Sequence, residues 1–184
     1  MEKAERKFLV LYLAQSRERL LDAVEGLSKE QQRFRPAPHR WSVADCVEHV
    51  SIVEKMVVKE IQTVVLQPPQ PSVVASLPDD VILDGVPNRS SRCASPPEAF
   101  PNKRWTDFDQ LLRQFEAARE RSLRFAAVTQ SDLRGHSFAH PYLGELDCYQ
   151  WILFLGAHAE RHVRQAEEVM ADPGFPRLAN SAIA

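Results

Sequence analysis

Residues 147–171, DCYQWILFLGAHAERHVRQAEEVMA, decide how this chain folds. They predict one helix from about Asp147 to Ala171. Asp147 can cap the start, and Gln150 three residues later completes the reciprocal capping pattern. Pro173 and Gly174 stop it. From Trp151 to Ala159 there is no charge, so this half is apolar all round and needs cover on every side. The second half turns polar through Glu160, Arg161, Arg164, Glu167 and Glu168. His158 and His162, four residues apart, project from one face about 6 Å apart along the axis. That spacing suits two ligands on a single metal ion. It is not the metalloprotease pattern, which needs Glu right after the first His, where Ala159 stands. Gly156 costs about 1 kcal/mol against Ala inside a helix and lies roughly opposite His158. It calls for a close helix contact behind, within a bundle or across a homodimer, and the homodimer is the expectation taken.

Working outward, three more helices are predicted. Phe8, Leu9, Leu11, Tyr12, Leu20, Leu21, Val24 and Leu27 recur at helical spacing over about 3–25, and Gly26 sits where a C-terminal cap belongs. Ser28 can start a short turn that Pro36 and Pro38 forbid from continuing. Ser42 with Asp45 caps a second long helix over about 42–66, with Trp41 as a hydrophobic staple. It carries Val43, Val47, Val50, Val53, Val57, Val58, Ile61 and Val65. These β-branched residues lower helix propensity, so tertiary packing must supply the difference. Thr106 with Asp109 opens a third, over about 105–128. Trp105, Phe108, Leu111, Leu112, Phe115, Leu123 and Phe125 form its buried side and its arginines lie opposite.

Between the second and third helices, residues 67–103 hold eight of the 13 prolines. Loops this long are functional or solvated linkers. The expectation is a crossover wrapping one end of a bundle, with a short turn near Pro78 to Val81. A second loop of about 18 residues precedes the last helix. Four long helices with few strand signals give an all-α fold: a four-helix bundle with a long Pro-rich crossover, as one domain over residues 1–184.

At 184 residues the chain can bury a core without disulfides or metal staples. Its net charge of -2 gives no reason to expect nucleic acid. No apolar run approaches the roughly 20 residues that span a bilayer. The first residues mix acids and bases and lack a cleavage site, so they do not read as a signal peptide. Cys46, Cys93 and Cys148 are odd in number and lack CxxC spacing, which speaks against a disulfide framework or zinc finger. A cytoplasmic protein is expected.

Two histidines do not complete a catalytic metal site, which takes three protein ligands and keeps one position open. His49, mid-helix beside Val50, Ile52 and Val53, is the best third. Three imidazoles suit Zn²⁺, and Ni²⁺, Fe²⁺ and Co²⁺ also fit. On residue chemistry alone, a metal site and three packed core histidines both stay open. His140, before Pro141, would stand near the rim of such a site. Gln165, one turn after His162, could orient a ligand from behind. Cys46 is either a substitute ligand or a buried inert thiol. His39 and His136 are expected on the surface. Trp41 and Trp151 are expected in the core or at a pocket mouth.

The stretches WSVADCVEH (Trp41 to His49), HPYLGEL (His140 to Leu146) and HAERHVRQ (His158 to Gln165) resemble the DinB-like superfamily, in order and over essentially the whole chain. That resemblance implies a four-helix bundle holding one divalent metal, Zn or Ni first and Fe, Co or Mn after, on His49, His158 and His162. It implies a thiol S-transferase as well, joining a small thiol (bacillithiol, mycothiol or glutathione) to an electrophile. A metal bound in this way lowers the pKa of a sulfur ligand and holds a thiolate near neutral pH. A hydrolase is the nearest variant, and a non-catalytic metal-binding stress protein the alternative. No Asp or Glu lies within a turn of the ligands on their face to serve as general base, which favours thiol chemistry. DNA repair lacks any basic patch.

Overall fold

The structure, a computed structural model, describes residues 1–69, 77–90, 93–105 and 107–177. Helix α1 spans Lys3–Val24 and buries Leu9, Leu13, Leu20 and Val24. It stops before Gly26, whose φ of +70° is the left-handed geometry that glycine adopts most cheaply. Ser28 and Gln31 cap the short α2, Lys29–Arg33. Helix α3, Val43–Val64, starts on the reciprocal Ser42–Asp45 pair. Helix α4, Phe108–Val128, begins later than its periodicity suggests and takes Asp107 as its cap. The expected cap, Thr106, lies outside the described residues. Trp105 stays outside the helix, its ring 5.3 Å from the Lys55 ammonium.

The last helix forms as its sequence dictates. Asp147 caps α5, Cys148–Met170, and Gln150 returns the bond. Cys148 to Ala159 are buried without interruption, as a charge-free surface requires. A methyl at Gly156 would come within 2.5 Å of the Tyr12 ring. The close approach that this glycine permits is therefore α1 within the same chain.

The segment before α5 is not the plain loop its composition suggests. Strands β1, Ser137–His140, and β2, Gly144–Asp147, pair antiparallel with Phe138 opposite Leu146. The Trp151 indole donates to Phe138 O (3.0 Å) and its ring stacks on Phe138. Four-residue strands are too short to show a convincing period of two. His136, expected on the surface, is buried instead, its ring bridging Asp132 O and Gln67 O.

Each of α1 and α3 packs against both α4 and α5. The consecutive long helices α1 and α3 thus sit diagonally, although short connections usually join neighbours. Two apolar layers fill the centre, one around Leu9, Leu13, Ile61 and Leu153, the other around Leu20, Val47, Phe115 and Val163. Each fully buried aliphatic contributes roughly 1.5–3 kcal/mol.

Between the layers lies an ion pair whose arginine the helical pattern assigned to solvent. Arg119 is fully buried, not on the outer face. Its Nε and Nη2 each donate to Glu54 at 2.8 Å. Ser16 Oγ and the Leu13 and Leu155 carbonyls accept its remaining protons, and Ser122 donates to Glu54. Complete pairing is what makes such burial tolerable.

The crossover's described parts are largely exposed but anchor to the bundle through buried Ile82, Pro87, Ala99 and Pro101. A π-helical turn, Val81–Gly85, lies against α5, and a 3₁₀ turn, Pro97–Ala99, against α3. Arg161 donates to the Val86 and Asn88 carbonyls, Arg164 to Pro87 O, and Arg89 to Glu168 and Gln165. Arginines on the polar half of α5 thus hold backbone of the crossover. Arg134 fastens the other end, pairing with Glu5, Asp79 and Asp147 at 2.7–3.0 Å.

Candidate metal centre

The three histidines named by spacing meet in space. His158 and His162 come from adjacent turns of α5 and His49 from the facing side of α3. The Nε2 of His158 is 3.1 Å from that of His49 and 3.1 Å from that of His162. Among the described residues, these three form the group of side chains able to hold a metal ion, their ligand atoms all within 4.8 Å of one another. All are buried.

The chemistry of the donors fits a cation. His49 Nδ1 donates to Ala99 O at 2.7 Å. A carbonyl only accepts, so in the neutral ring the proton is on Nδ1 and Nε2 points a lone pair at the cluster. Burial pulls the His49 pKa down to about 4. His158 and His162 are held well below the ordinary value, first by burial and then by neighbouring imidazoles. Three neutral rings result. Three neutral nitrogens so close cannot all be joined by hydrogen bonds, because each neutral ring has one N–H. Ligands 2.0–2.1 Å from a tetrahedral ion stand about 3.4 Å apart, a few tenths from the spacing found. One atom is left over: His162 Nδ1 is buried without a partner.

Aromatic rings enclose the imidazoles. Trp41 lies 4.9 Å from His49 and 5.8 Å from His162, with Phe100 edge-on to its ring. Phe154 stacks on His158 at 5.0 Å, and His140 meets Phe154 edge-on at 4.8 Å. His140 thus stands one ring removed from the cluster, and burial lowers its pKa to about 4. Trp151 supports His140 at 5.1 Å.

The remaining candidates lie elsewhere. Gln165 accepts from Arg89. Cys46 is buried outside the three-His group, and desolvation pushes its thiol pKa up. His39 is exposed, as expected. Sequence reasoning did not reach Glu48, next to His49. Its carboxylate accepts the backbone N–H groups of Asn102, Lys103 and Arg104, pinning the crossover beside the histidines. A charged residue inside the Val-rich run of α3 was the available signal.

Comparison with known proteins agrees with this architecture. The chain is 24% identical over 147 residues to the uncharacterized protein YuaE of Bacillus subtilis (strain 168), an alignment spanning 79% of this chain and 87% of that protein. The solved structure of YfiT from Bacillus subtilis, described as a probable metal-dependent hydrolase with an unusual four-helix bundle topology, superposes with a TM-score of 0.64. That match covers 96% of this chain and 91% of YfiT at 13% identity, and it shows the shared fold. Residues 12–166 match the sequence pattern of the DinB superfamily. With the bundle and the histidine arrangement also in place, the chain belongs to the DinB superfamily.

Proposed function

We propose that the chain is a divalent-metal-dependent enzyme whose ion is held by His49, His158 and His162. The observation that carries this is the convergence of three Nε2 atoms, with the His49 lone pair aimed inward by its bond to Ala99 O. The held ion supplies Lewis acidity, lowering the pKa of a thiol or water that occupies its open position. The reaction proposed is transfer of a small thiol to an electrophile: the sulfur forms a bond to the electrophilic carbon, that carbon's bond to its leaving group breaks with the electron pair departing on the leaving group, and the thiol proton passes to solvent. Zn²⁺ and Ni²⁺ are the preferred ions for three imidazoles.

Thiol transfer is placed ahead of hydrolysis because of Glu48. Water needs a base to receive its proton, and the carboxylate adjacent to His49 is taken up by three backbone N–H groups. Hydrolysis is the second reading, favoured by the description of YfiT. The protein's own contribution is positioning: Ala99 O orients His49, Trp41 and Phe154 fix the ring planes, and the crossover covers the cluster.

The test is a Co²⁺-loaded sample titrated with bacillithiol, mycothiol and glutathione, followed by turnover with small alkyl and aryl electrophiles. A sulfur-to-cobalt charge-transfer band together with conjugate formation supports the reading. Ester hydrolysis without any thiol effect would move the assignment to a hydrolase.

A further inference from the structure

His140 is not a ligand in the cluster, yet its ring is prepared for a task. The backbone N–H groups of Tyr142 and Leu143 both point at its Nδ1, at 3.1 and 3.2 Å. A backbone N–H can only donate, so Nδ1 accepts, and the proton of the neutral ring is on Nε2. Both bonds come from the tight turn that joins β1 to β2, so the hairpin fixes the tautomer. Trp151 and Phe154 hold the ring plane. Among the described residues Nε2 has no hydrogen-bond partner, and it is not among the sealed, unpartnered polar atoms. The half-buried ring that carries this N–H packs against the same aromatic side chain, Phe154, that stacks on His158.

Aromatic rings gather around it and the cluster. Trp41 and Phe154 touch the imidazoles of the cluster, Phe100 touches Trp41 and Tyr142 touches His140, with Phe100 and Tyr142 about half exposed. Tyr142 spends its hydroxyl proton on Ala94 O of the crossover. The charges next to His49 and His162 are engaged: Glu48 by three backbone N–H groups, Arg161 by the Val86 and Asn88 carbonyls. A flat apolar ligand would find ring faces here.

We infer that this aromatic collar takes a neutral, flat, apolar substrate bearing a hydrogen-bond acceptor such as a carbonyl, and that His140 Nε2–H holds that acceptor. The inference deepens the proposed enzyme reading and rests on it for the reaction, but binding itself does not require the ion. The substrate class is thus an aromatic or similarly flat carbonyl compound. His140 positions its acceptor atom while the bond-forming step takes place at the histidine cluster.

The experiment measures binding of two isosteres, acetophenone and α-methylstyrene, to the full chain with and without Zn²⁺, by calorimetry or ligand-observed NMR. Acetophenone, which carries the acceptor, is expected to bind about 3- to 10-fold more tightly than the hydrocarbon. His140→Phe should abolish that preference while keeping hydrocarbon affinity. His140→Gln, which retains an N–H donor, should restore part of it. Phe100→Ala should weaken both ligands. In the metal-free protein benzoate, the anion of similar size, should bind more weakly than acetophenone. Equal affinity for the two isosteres, a preference that survives in His140→Phe, no detectable binding of either, or tight benzoate binding without metal would each overturn the inference. Because the metal-free protein is measured too, failure of the collar and failure of the metal centre give different results.

Discussion

At the residue scale a buried charge calls for a full set of partners, and Arg119 shows how much depends on it. Its guanidinium engages Glu54, Ser16 Oγ and two backbone carbonyls with no exposure to water. Glu54→Gln is expected to destabilise by about 3–5 kcal/mol, because it leaves a buried cation uncompensated. Glu54→Leu with Arg119→Met together should recover much of that loss. A double-mutant cycle from urea unfolding checks it, and a Glu54→Gln loss below about 1 kcal/mol would contradict the buried-charge account. Gly156 makes the opposite point about space. Ala there gains about 1 kcal/mol of helix propensity but drives a methyl into the Tyr12 ring, an overpacking cost of typically 1–3 kcal/mol. The net expected is loss, relieved when Tyr12→Leu is added; chemical denaturation of the single and double variants measures it. The sequence marked Gly156 as a contact point and could not say with what, since a small residue records closeness and not its partner. Arg119 was misplaced for a related reason: periodicity assigns a face, and only the three-dimensional meeting of α1, α3, α4 and α5 shows that an ion pair closes inside.

At the scale of elements, local signals carried furthest where capping chemistry is explicit. Ser42 with Asp45, Ser28 with Gln31 and Asp147 with Gln150 each start a helix in the way their side chains dictate. Asp147 has two roles, since it also accepts from Arg134. Asp147→Ala should therefore cost more than the roughly 1 kcal/mol of a lost cap, while Asp147→Asn keeps the cap and gives up the ion pair. The amides of Cys148 and Tyr149, which donate to His136 O and Leu133 O, should lose protection from hydrogen exchange in Asp147→Ala more than in Asp147→Asn. Equal protection in both would show that the cap contributes nothing at this junction. Weak local signals failed. Four-residue strands do not display alternation, so β1 and β2 read as loop. The start of α4 slid past Trp105 because an aromatic in helical register need not be in the helix. The Pro-rich crossover has no periodicity at all; its packing came from arginines on α5 reaching its carbonyls, a relation between distant segments that composition does not encode.

At the scale of the whole molecule, the three histidines were legible because one spacing, four residues on one helix, needed only one further imidazole from a facing helix. The fold supplies it through the packing of α3 on α5, and the crossover supplies Ala99 O to orient it. Trp41 and His140 were named from the sequence as candidates for the pocket mouth and the rim, whereas Phe100, which comes from a loop, was not legible. A bound ion links α3 to α5, so occupancy should stabilise the folded state by mass action: at 100 times the dissociation constant, by about 2.7 kcal/mol. Calorimetric melting with and without added Zn²⁺ tests this, and a melting temperature unchanged by saturating metal would argue against a linkage between the helices. The most direct test is elemental analysis of tag-free protein, purified anaerobically and offered Zn²⁺, Ni²⁺ and Fe²⁺, comparing wild type with His158→Ala. The account predicts about one divalent ion per chain in the wild type and its loss in the variant. A wild-type protein that takes up no metal, or a His158→Ala protein that keeps its full complement, would contradict it.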